Sequence, residues 1–368
     1  MANLLGNRSG WTLYTEIDSV LSKNTKEICM SYDTIVCIGR FEPVHSAHEE
    51  ILKRACRMAK HVIVVVGSTN QPRTFKNPFT FSERVAMLTA VLERVSGTST
   101  YSIHANLDSI YNNEAWAQRI QEIVLANSPS KNIAIIGHKK DSSSFYLDMF
   151  PQWPLELVEN IEALDATTIR DLYFKQPNNL KFVSQVVPKE TLEFLQQFQT
   201  SLAFDEICKE REFISKYKAP YAALPYPVTF VTTDAVVIQS AHVLMIKRKA
   251  YPGKGLWALP GGFLNANTDE SLQACALREL REETALKVPK PVLIGSIKAT
   301  RTFDALNRST RGRTITTAFK IQLADSHSLP KIKAQDDAAQ AKWIPFAELD
   351  PSVIYEDHYD IIQWAINT

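Results

Sequence analysis

Residues 32–217 alternate between two patterns of apolar positions. Short apolar runs at 34–38, 62–66 and 132–136 are rich in β-branched residues, which is typical of strands buried on both faces. Between the runs, apolar residues spaced three and four apart predict amphipathic helices. These helices cover residues 46–60, 81–95 and 114–126. Strands that alternate with helices in this way predict a parallel sheet covered by helices on both faces.

The pattern changes in the second half of the chain. Polar helices are predicted over about 188–217, and residues 218–227 then contain three prolines. Because proline cannot continue a helix interior, we interpret 218–227 as a linker. The region after it is richer in strands and includes a predicted helix near 270–284. Its predicted strands are 228–239, 242–247, 291–299 and 313–323, and a last helix covers about 356–366.

The pattern therefore divides the chain into two predicted domains. Residues 1–31 are polar and irregular and form an N-terminal extension whose role the sequence does not indicate. The first domain covers 32–217, the linker 218–227 and the second domain 228–368. A length of 368 residues suits two or three domains.

Composition narrows the functional classes. The formal net charge is +1, so no basic surface points to nucleic acid. No apolar run is long enough to cross a bilayer and no signal peptide is recognisable, so we expect a soluble cytoplasmic protein. The cysteines are odd in number and scattered, which favours reduced thiols over a disulfide frame or a zinc site. They are Cys29, Cys37, Cys56, Cys208 and Cys275. The oligomeric state stays open.

Three carboxylates in the second domain have the spacing of a metal site. Glu279, Glu282 and Glu283 lie at positions i, i+3 and i+4 of the predicted helix, so they share one face. Three like charges side by side repel one another unless a cation neutralises them. Hard oxygen ligands suit Mg²⁺, which completes its shell with water and substrate phosphates. The spacing predicts a divalent cation site for phosphate chemistry.

Residues 260–286 resemble the Nudix box, Gly-x5-Glu-x7-Arg-Glu-U-x-Glu-Glu-x-Gly-U, where U is aliphatic. Glu270, the run from Arg278 to Glu283, and Leu286 match it in register. There are two departures. The interval from Gly262 to Glu270 is two residues too long, and Ala285 replaces the family's glycine at the end of the helix.

The resemblance implies an α/β/α domain with a mixed sheet that hydrolyses nucleoside diphosphates. It implies Mg²⁺, with Mn²⁺ as a substitute, on Glu279, Glu282 and Glu283, and a structural pair between Glu270 and Arg278. A glycine loop approaches the diphosphate, and nearby arginines are candidate phosphate contacts. The implied ADP-ribose-binding residues are Arg248, Pro260, Gly261, Gly262, Phe263, Arg311 and Arg313.

A second motif lies near the start of the first domain. The strand at 34–38 is followed by Gly39-Arg40-Phe41, and then by His45 and His48 at the predicted start of a helix. Ligands of open α/β sheets bind at the carboxyl ends of strands, and a helix N-terminus attracts phosphate. The segment resembles the Gly-Arg-Phe-x-Pro-x-His-x-Gly-His signature of nucleotidyltransferases in their nicotinamide mononucleotide (NMN) adenylyltransferase branch, except that Ala47 replaces a glycine.

Downstream segments extend that resemblance. Asp165-Ala-Thr-Thr-Ile-Arg170 is similar to a second phosphate motif in which serine stands at the place of Asp165. The resemblance implies a Rossmann-like domain in which Arg40, His45, His48 and Arg170 stabilise charge during adenylyl transfer. The implied ATP- and NMN-binding residues are Gly39, Phe41, Asn113, Trp116, Gly137, His138, Lys139, Asp141 and Thr167.

The order of the two motifs resembles that of bacterial bifunctional NMN adenylyltransferases fused to a Nudix ADP-ribose pyrophosphatase. This family makes NAD from NMN and ATP and hydrolyses ADP-ribose, so the expected partners are these small molecules. Three alternatives stay open. The transferase could adenylylate another phosphate acceptor, the Nudix domain could act on NADH or a sugar nucleotide, or it could be a non-catalytic ADP-ribose sensor. Ala47, Asp165 and Ala285 could also impair either activity.

Overall fold

The computed structural model describes residues 30–138, 142–159, 165–175 and 180–368. Its first domain is built on a five-stranded sheet with the spatial order β3-β2-β1-β4-β5, in which every neighbouring pair is parallel. The strands are β1 (Tyr32–Gly39), β2 (Ala59–Val66), β3 (Thr100–Ala105), β4 (Ile133–Gly137) and β5 (Leu155–Leu157). The chain order reverses between β1 and its neighbours β2 and β4, which creates a crevice at their carboxyl ends.

Helices cover both faces of this sheet, as the alternating pattern predicts. They are α1 (Ser46–Met58), α2 (Phe81–Val95) and α3 (Asn113–Asn127). Ile35 and Cys37 of β1 pack with α1 and α2, whereas Val36 faces the cluster that contains α3. The strands β1, β2 and β4 are therefore buried on both faces over most of their length, which explains their continuous apolar sequences.

The helical segment after this sheet corrects one expectation. It comprises α4 (Ala166–Lys175), α5 (Leu180–Val183), α6 (Lys189–Phe198) and α7 (Leu202–Ala222). Helix α7 continues through Pro220 into residues that we interpreted as a linker. Pro220 is close to the helix end, and Tyr217 and Tyr221 pack their rings on Phe230 at 5.8 and 5.1 Å, which offsets the lost backbone hydrogen bond. The domain boundaries stay a prediction. No helix in the described ranges is both long and apolar enough to cross a membrane.

The second domain contains a seven-stranded mixed sheet. Its main order is β10-β11-β6-β7-β12, with β8 paired to β7 and β9 paired to β6. Only the β11–β6 pair is parallel. The strands are β6 (Thr229–Gln239), β7 (His242–Arg248), β8 (Trp257–Ala258), β9 (Gly261–Phe263), β10 (Ile297–Phe303), β11 (Arg313–Gln322) and β12 (Ala338–Pro345).

Alternate residues of β6 build a core on each face of this sheet. Ala235 and Val237 pack with α8 (Leu272–Thr284), and Val236 and Ile238 pack with α10 (His358–Asn367). The expected α/β/α layering is thus confirmed. One predicted strand is wrong in part, because residues 290–295 form the short helix α9 (Lys290–Gly295) before β10. The prolines at its start favour helix initiation over a strand.

Side-chain contacts join the two domains. Glu210 of α7 accepts hydrogen bonds from the backbone N–H of Phe75 (2.6 Å) and of Gly253 (2.7 Å). The Tyr111 hydroxyl donates to Asp357 at the start of α10 (2.6 Å), and Lys76 Nζ donates to the Asn307 carbonyl (2.9 Å). Glu210 and Asp357 are both buried, so the contact between the domains is partly polar and excludes water.

Ala285 keeps the helix-ending turn that the family makes with glycine. It caps α8 in the left-handed conformation, with φ 45° and ψ 33°. That conformation costs a non-glycine residue roughly 1–2 kcal/mol. Glycine relieves this strain, although its freedom in the unfolded chain costs about 0.4–1 kcal/mol.

We therefore expect Ala285→Gly to raise the free energy of unfolding by about 0.5–1 kcal/mol, measured by urea titration with circular dichroism. Ala274→Gly, in the right-handed part of the same helix, serves as the control and should lower it by about 1 kcal/mol. A loss of stability in Ala285→Gly would contradict the strain at this turn.

Candidate functional site

The first candidate site lies at the carboxyl end of β1. The backbone here is compact, since a Cβ on Gly39 would meet the Phe41 ring at 3.0 Å. Phe41 itself has a positive φ of 55°, and the Gly67 N–H at the end of β2 donates to the Gly39 carbonyl (2.9 Å). The strand ends are thereby held together, and the chain turns sharply into α1.

The two predicted histidines stand together at the N-terminus of α1. His45 is the N-cap and His48 the third helical residue, and their rings pack together with centroids 3.8 Å apart and planes tilted by 32°. Phe41 packs against His48 at 4.7 Å. The His45 backbone N–H donates to His48 Nδ1 (3.3 Å), which places the proton of a neutral His48 ring on Nε2. Both imidazoles are therefore oriented by the turn that the motif encodes.

Arginine side chains add positive charge near these rings. Arg170 of α4 is buried, and its Nη1 donates to the Glu42 carbonyl (2.8 Å) while its Nη2 donates to Thr167 Oγ1 (3.2 Å). Burial and the charge of Arg40 lower the pKa of Arg170 to about 10. Among the described residues, no group accepts a hydrogen bond from the buried Arg170 Nε. Two arginines that repel each other, one with an unused donor, suit a phosphate ligand.

An ion pair that the sequence motif does not reveal supports this arrangement. Arg84 of α2 is buried and lies 3.4 Å from the Glu42 carboxylate. It also donates to the backbone carbonyls of Arg40 (2.9 Å) and Gly67 (2.7 Å). Burial raises the pKa of Glu42, and the guanidinium of Arg84 opposes that shift. An arginine at an apolar helix position is the one signal that could have pointed to this pair.

Asp165 acts as the N-cap of α4. Its carboxylate accepts hydrogen bonds from the backbone N–H groups of Thr167 (2.7 Å) and Thr168 (2.9 Å). Aspartate is a favourable N-cap, so the departure from the family's serine is compatible with the fold. The first amides of this helix are consequently occupied by a side chain of the protein itself.

The remaining predicted transferase residues surround the same strand ends. Asn113 and Trp116 of α3 line a cavity of 380 Å³, and Trp116 packs edge-on against Tyr146 at 6.1 Å. Gly137 ends β4, where a Cβ would meet Leu147 at 3.0 Å. His138 Nδ1 lies 2.7 Å from the Val158 carbonyl. Lys139 and Asp141 lie outside the described residues.

The second candidate site centres on the glycine loop before α8. The loop includes Pro260, and the short strand Gly261–Phe263 pairs with β6. A Cβ on Gly261 would meet the Thr233 carbonyl at 2.2 Å, and one on Gly262 would meet the Glu279 carboxyl carbon at 2.5 Å. Only glycine fits these positions, because the loop runs directly between the sheet and the acidic helix.

Two of the three predicted carboxylates converge on this loop. Glu283 is buried, accepts a hydrogen bond from the Gly261 N–H (3.0 Å), and has its pKa raised to about 8 by burial. Burial also raises the pKa of Glu279, whose carboxylate lies beside Gly262. Glu282 instead faces solvent, with 45% of its side chain exposed.

Arg278 corrects the predicted structural pair. Its partner is Asp269, with Nη2–Oδ2 and Nε–Oδ1 distances of 2.7 and 2.9 Å, and not Glu270, which is exposed. The ion pair with Arg278 lowers the pKa of Asp269. The two extra residues after Gly262 change the path of the loop, so the neighbouring carboxylate reaches the arginine. The sequence register alone could not show this.

Arg278 also holds two of the candidate metal ligands. Its Nη1 donates to Glu279 (2.8 Å) and to Glu282 (2.9 Å). As the side chains stand, no group of three His, Cys, Asp or Glu residues in the described ranges is arranged to hold a metal ion. The donor set nevertheless fits a divalent cation, because the partly buried Glu279 and the buried Glu283 are oxygen donors with raised pKa values on one side of the glycine loop.

The predicted arginines differ in position. Arg248 lies over the Tyr355 ring (4.2 Å) and its charge acts on Glu283, so it borders the acidic helix. Arg311 lies over the Phe263 ring (4.8 Å). Arg313 donates to the Asp304 carbonyl (2.6 Å) across the loop before β11, and no described contact joins it to the glutamates.

Asp234 is a further carboxylate at this site that the sequence analysis omits. It is buried in β6, where Thr316 Oγ1 donates to it (2.6 Å). Burial raises its pKa, and a Cβ on Gly261 would approach its Oδ1 at 2.8 Å. A charged residue in an otherwise apolar strand is the signal that could have identified it.

Comparisons with known proteins agree with both halves of this description. The NUDIX domain family model matches residues 229–365, and the cytidylyltransferase-like model matches residues 36–139. A crystal structure of a bifunctional NMN adenylyltransferase/ADP ribose pyrophosphatase from Francisella tularensis superposes with a TM-score of 0.83 at 34% identity. The match covers 91% of this chain and 99% of that one, so the layout of both domains is shared.

Two curated relatives match the halves separately. A nicotinamide/nicotinic acid mononucleotide adenylyltransferase from Acinetobacter baylyi is 35% identical over 191 residues, which are 51% of this chain and 95% of that protein. An ADP-ribose pyrophosphatase from Methanocaldococcus jannaschii is 30% identical over 158 residues, which are 43% of this chain and 81% of that protein.

The fold and the two sites define a nucleotidyltransferase joined to a Nudix hydrolase. The chain belongs to the family of bifunctional NMN adenylyltransferase/ADP-ribose pyrophosphatases. A Francisella tularensis member was also solved with AMP and a manganese ion, which agrees with the divalent cation that the carboxylates of the second site suit.

The identity of the Arg278 partner can be tested through cation binding. Asp269→Asn removes the carboxylate that anchors the other side of the Arg278 guanidinium, which already contacts Glu279 and Glu282, so the arginine is left to compete more strongly with the cation for these two carboxylates. We expect Mn²⁺ affinity, measured by electron paramagnetic resonance titration, to fall about tenfold or more. Glu270→Gln is the matched control and should change it by no more than about twofold. A change of more than about twofold in Glu270→Gln would instead favour the pair between Glu270 and Arg278 that the sequence predicts.

Proposed function

We propose that the chain is a bifunctional enzyme of NAD metabolism. Its first domain transfers the adenylyl group of ATP to NMN, which yields NAD and pyrophosphate. Its second domain hydrolyses ADP-ribose to AMP and ribose 5-phosphate. The observation that carries this proposal is that two separate phosphate sites lie on one chain that spans 99% of the length of a bifunctional relative.

The transfer needs no protein nucleophile. A 5′-phosphate oxygen of NMN attacks the α-phosphorus of ATP, a new P–O bond forms, and the bond to the departing pyrophosphate breaks. Catalysis then consists of positioning and charge stabilisation. Arg170, with its buried unpartnered Nε, and Arg40 neutralise the phosphates, while His45 and His48, packed together, border the reacting centre.

The hydrolysis is carried by the glycine loop and the acidic helix. Glu279 and Glu283, joined by Glu282 once Arg278 releases it, would hold the divalent cation, which we propose to be Mg²⁺ with Mn²⁺ as a substitute. When bound, such an ion polarises the diphosphate and lowers the pKa of water. Because Gly261 and Gly262 have no side chains, the diphosphate can lie close to the backbone of this loop. Arg248 and Arg311 lie within reach of its charge.

Product analysis tests the two reactions directly. The protein is incubated with NMN, ATP and Mg²⁺, and separately with ADP-ribose and Mg²⁺, and the products are separated by chromatography. The proposal expects NAD with pyrophosphate in the first reaction, and AMP with ribose 5-phosphate in the second. Hydrolysis of NADH or a nucleotide sugar in preference to ADP-ribose would favour the alternative Nudix substrates. Binding of ADP-ribose without hydrolysis would favour the sensor alternative.

His48→Ala separates catalysis from binding in the first domain. Because His48 acts on charge that develops during transfer, we expect NAD formation to fall on the order of 100-fold. The dissociation constant of ATP, measured by calorimetry, should change much less. His61→Ala is the matched control, since His61 lies near the opposite end of β2 and contacts Thr100 and Ser102. Unchanged turnover in His48→Ala would contradict the assignment.

Glu283→Gln tests whether the sites act independently. We expect ADP-ribose hydrolysis to fall on the order of 1000-fold, because a buried cation ligand is lost, while NAD formation stays at the wild-type rate. Glu348→Gln, a well-exposed glutamate of the same domain, should leave both rates unchanged. Loss of both activities in Glu283→Gln would argue against separate sites.

A further inference from the structure

We propose that a loop of the Nudix domain forms one wall of the acceptor cavity in the transferase domain, and that Leu306 at its tip is a specificity-determining residue for adenylyl transfer. The proposal rests on the proposed function of the first domain and adds a residue that the transferase domain alone would not supply. The loop connects β10 with β11, and its tip comprises residues 305–307.

The cavity has walls from both domains. On the transferase side, its 380 Å³ is lined by Asn113, Trp116 and Tyr146, and the Tyr146 hydroxyl donates to the Ile38 carbonyl near the end of β1 (3.4 Å). On the opposite side it is lined by Leu306 and Asn307. A cavity between domains with aromatic lining and a few polar groups is typical of a small-molecule site.

The mouth of this cavity exposes apolar surface. Leu306 is 72% exposed, Phe145 51% and Ile110 40%, and all three line the same cavity. Together with Trp116 they present carbon surface on several sides of one space. A flat heteroaromatic ring that is attached to a ribose phosphate would cover this surface and gain free energy by leaving water. A linear acceptor phosphate lacks such a ring.

Lys76 connects the loop tip with the charged end of the site. Its Nζ donates to the Asn307 carbonyl (2.9 Å), and its pKa is lowered by burial and by the nearby charge of Arg40. Arg40 in turn lies 3.5 Å from Asn77. Lys76 therefore lines the apolar space and Arg40 lies near Lys76, as required for a ligand with a ring at one end and a phosphate at the other.

Buried interactions fix the base of the loop. Arg308, directly after the tip, makes a two-point ion pair with Asp357, at 2.7 and 2.8 Å. The Thr310 N–H donates to Glu356 (2.8 Å), and Arg313 closes the loop onto Asp304. The same Asp357 accepts the hydroxyl of Tyr111 from the transferase domain (2.6 Å). Leu306 is thereby held in place as part of a preformed wall.

The substitution Leu306→Asn tests the wall in the full-length protein. Asparagine has a similar shape and no net charge, so it removes apolar contact without repelling the phosphate. We expect the KM for NMN to rise about tenfold. The KM for ATP and the rate of ADP-ribose hydrolysis should stay at wild-type values. Leu306→Met keeps an apolar side chain and should restore the KM for NMN.

The control is Leu202→Asn, at a leucine that is 85% exposed and lies outside the cavity. A KM for NMN in Leu306→Asn equal to that of the control would overturn the proposal.

Calorimetry measures the affinity of the wild-type protein and of Leu306→Asn for NMN without requiring activity. The wall can therefore be tested separately from the proposed transferase function. An inactive wild-type chain whose NMN affinity depends on Leu306 would support the wall and count against the transferase. An NMN affinity that is insensitive to Leu306→Asn would overturn the wall, whatever the activity.

Discussion

The arrangement of the two domains depends on the hydrogen bonds that the buried carboxylate of Asp357 accepts. It accepts two hydrogen bonds from Arg308 in its own domain and one from Tyr111 in the other. Arg308 and Asp357 are both almost fully buried, so removing either partner leaves a charge without compensation, at a cost of about 3–5 kcal/mol. This requirement fixes the loop after β10, the start of α10 and the contact with the transferase domain together. The cavity that is lined by residues of both domains therefore depends on these hydrogen bonds as well.

The two candidate sites share two physical features. At each, glycines allow the backbone close to its neighbours: Gly39 at the end of β1 beside Phe41, and Gly261 and Gly262 in β9 beside Thr233 and Glu279. At each, charged groups are buried without full compensation. The transferase site gathers arginines that repel one another, and the Nudix site gathers carboxylates whose pKa values burial raises. A bound anion would therefore stabilise the first site, and a bound cation would stabilise the second. The two sites accordingly suit ligands of opposite charge.

The sequence predicts the local features of this protein well and the long-range ones poorly. Continuous apolar runs identify the buried strands, and the i, i+3, i+4 spacing places the glutamates on one helix. The motif register pairs Arg278 with Glu270, because it does not show how two extra loop residues bring Asp269 to the arginine. Pro220 lies inside α7, because tertiary packing outweighs its local effect. The contact of Lys76 with Asn307 spans 231 positions, so no local pattern could reveal the shared cavity.

The central claim is that the two domains form one unit in which the Nudix loop completes the acceptor site. A crystal structure of the full-length protein with bound NMN tests it most directly. We expect electron density for the nicotinamide ring between Trp116 and Leu306, with the phosphate directed towards Arg40, Arg170 and the histidine pair. Density for the ring outside this cavity, or a loop that has moved away so that Leu306 no longer contacts the ligand, would contradict it.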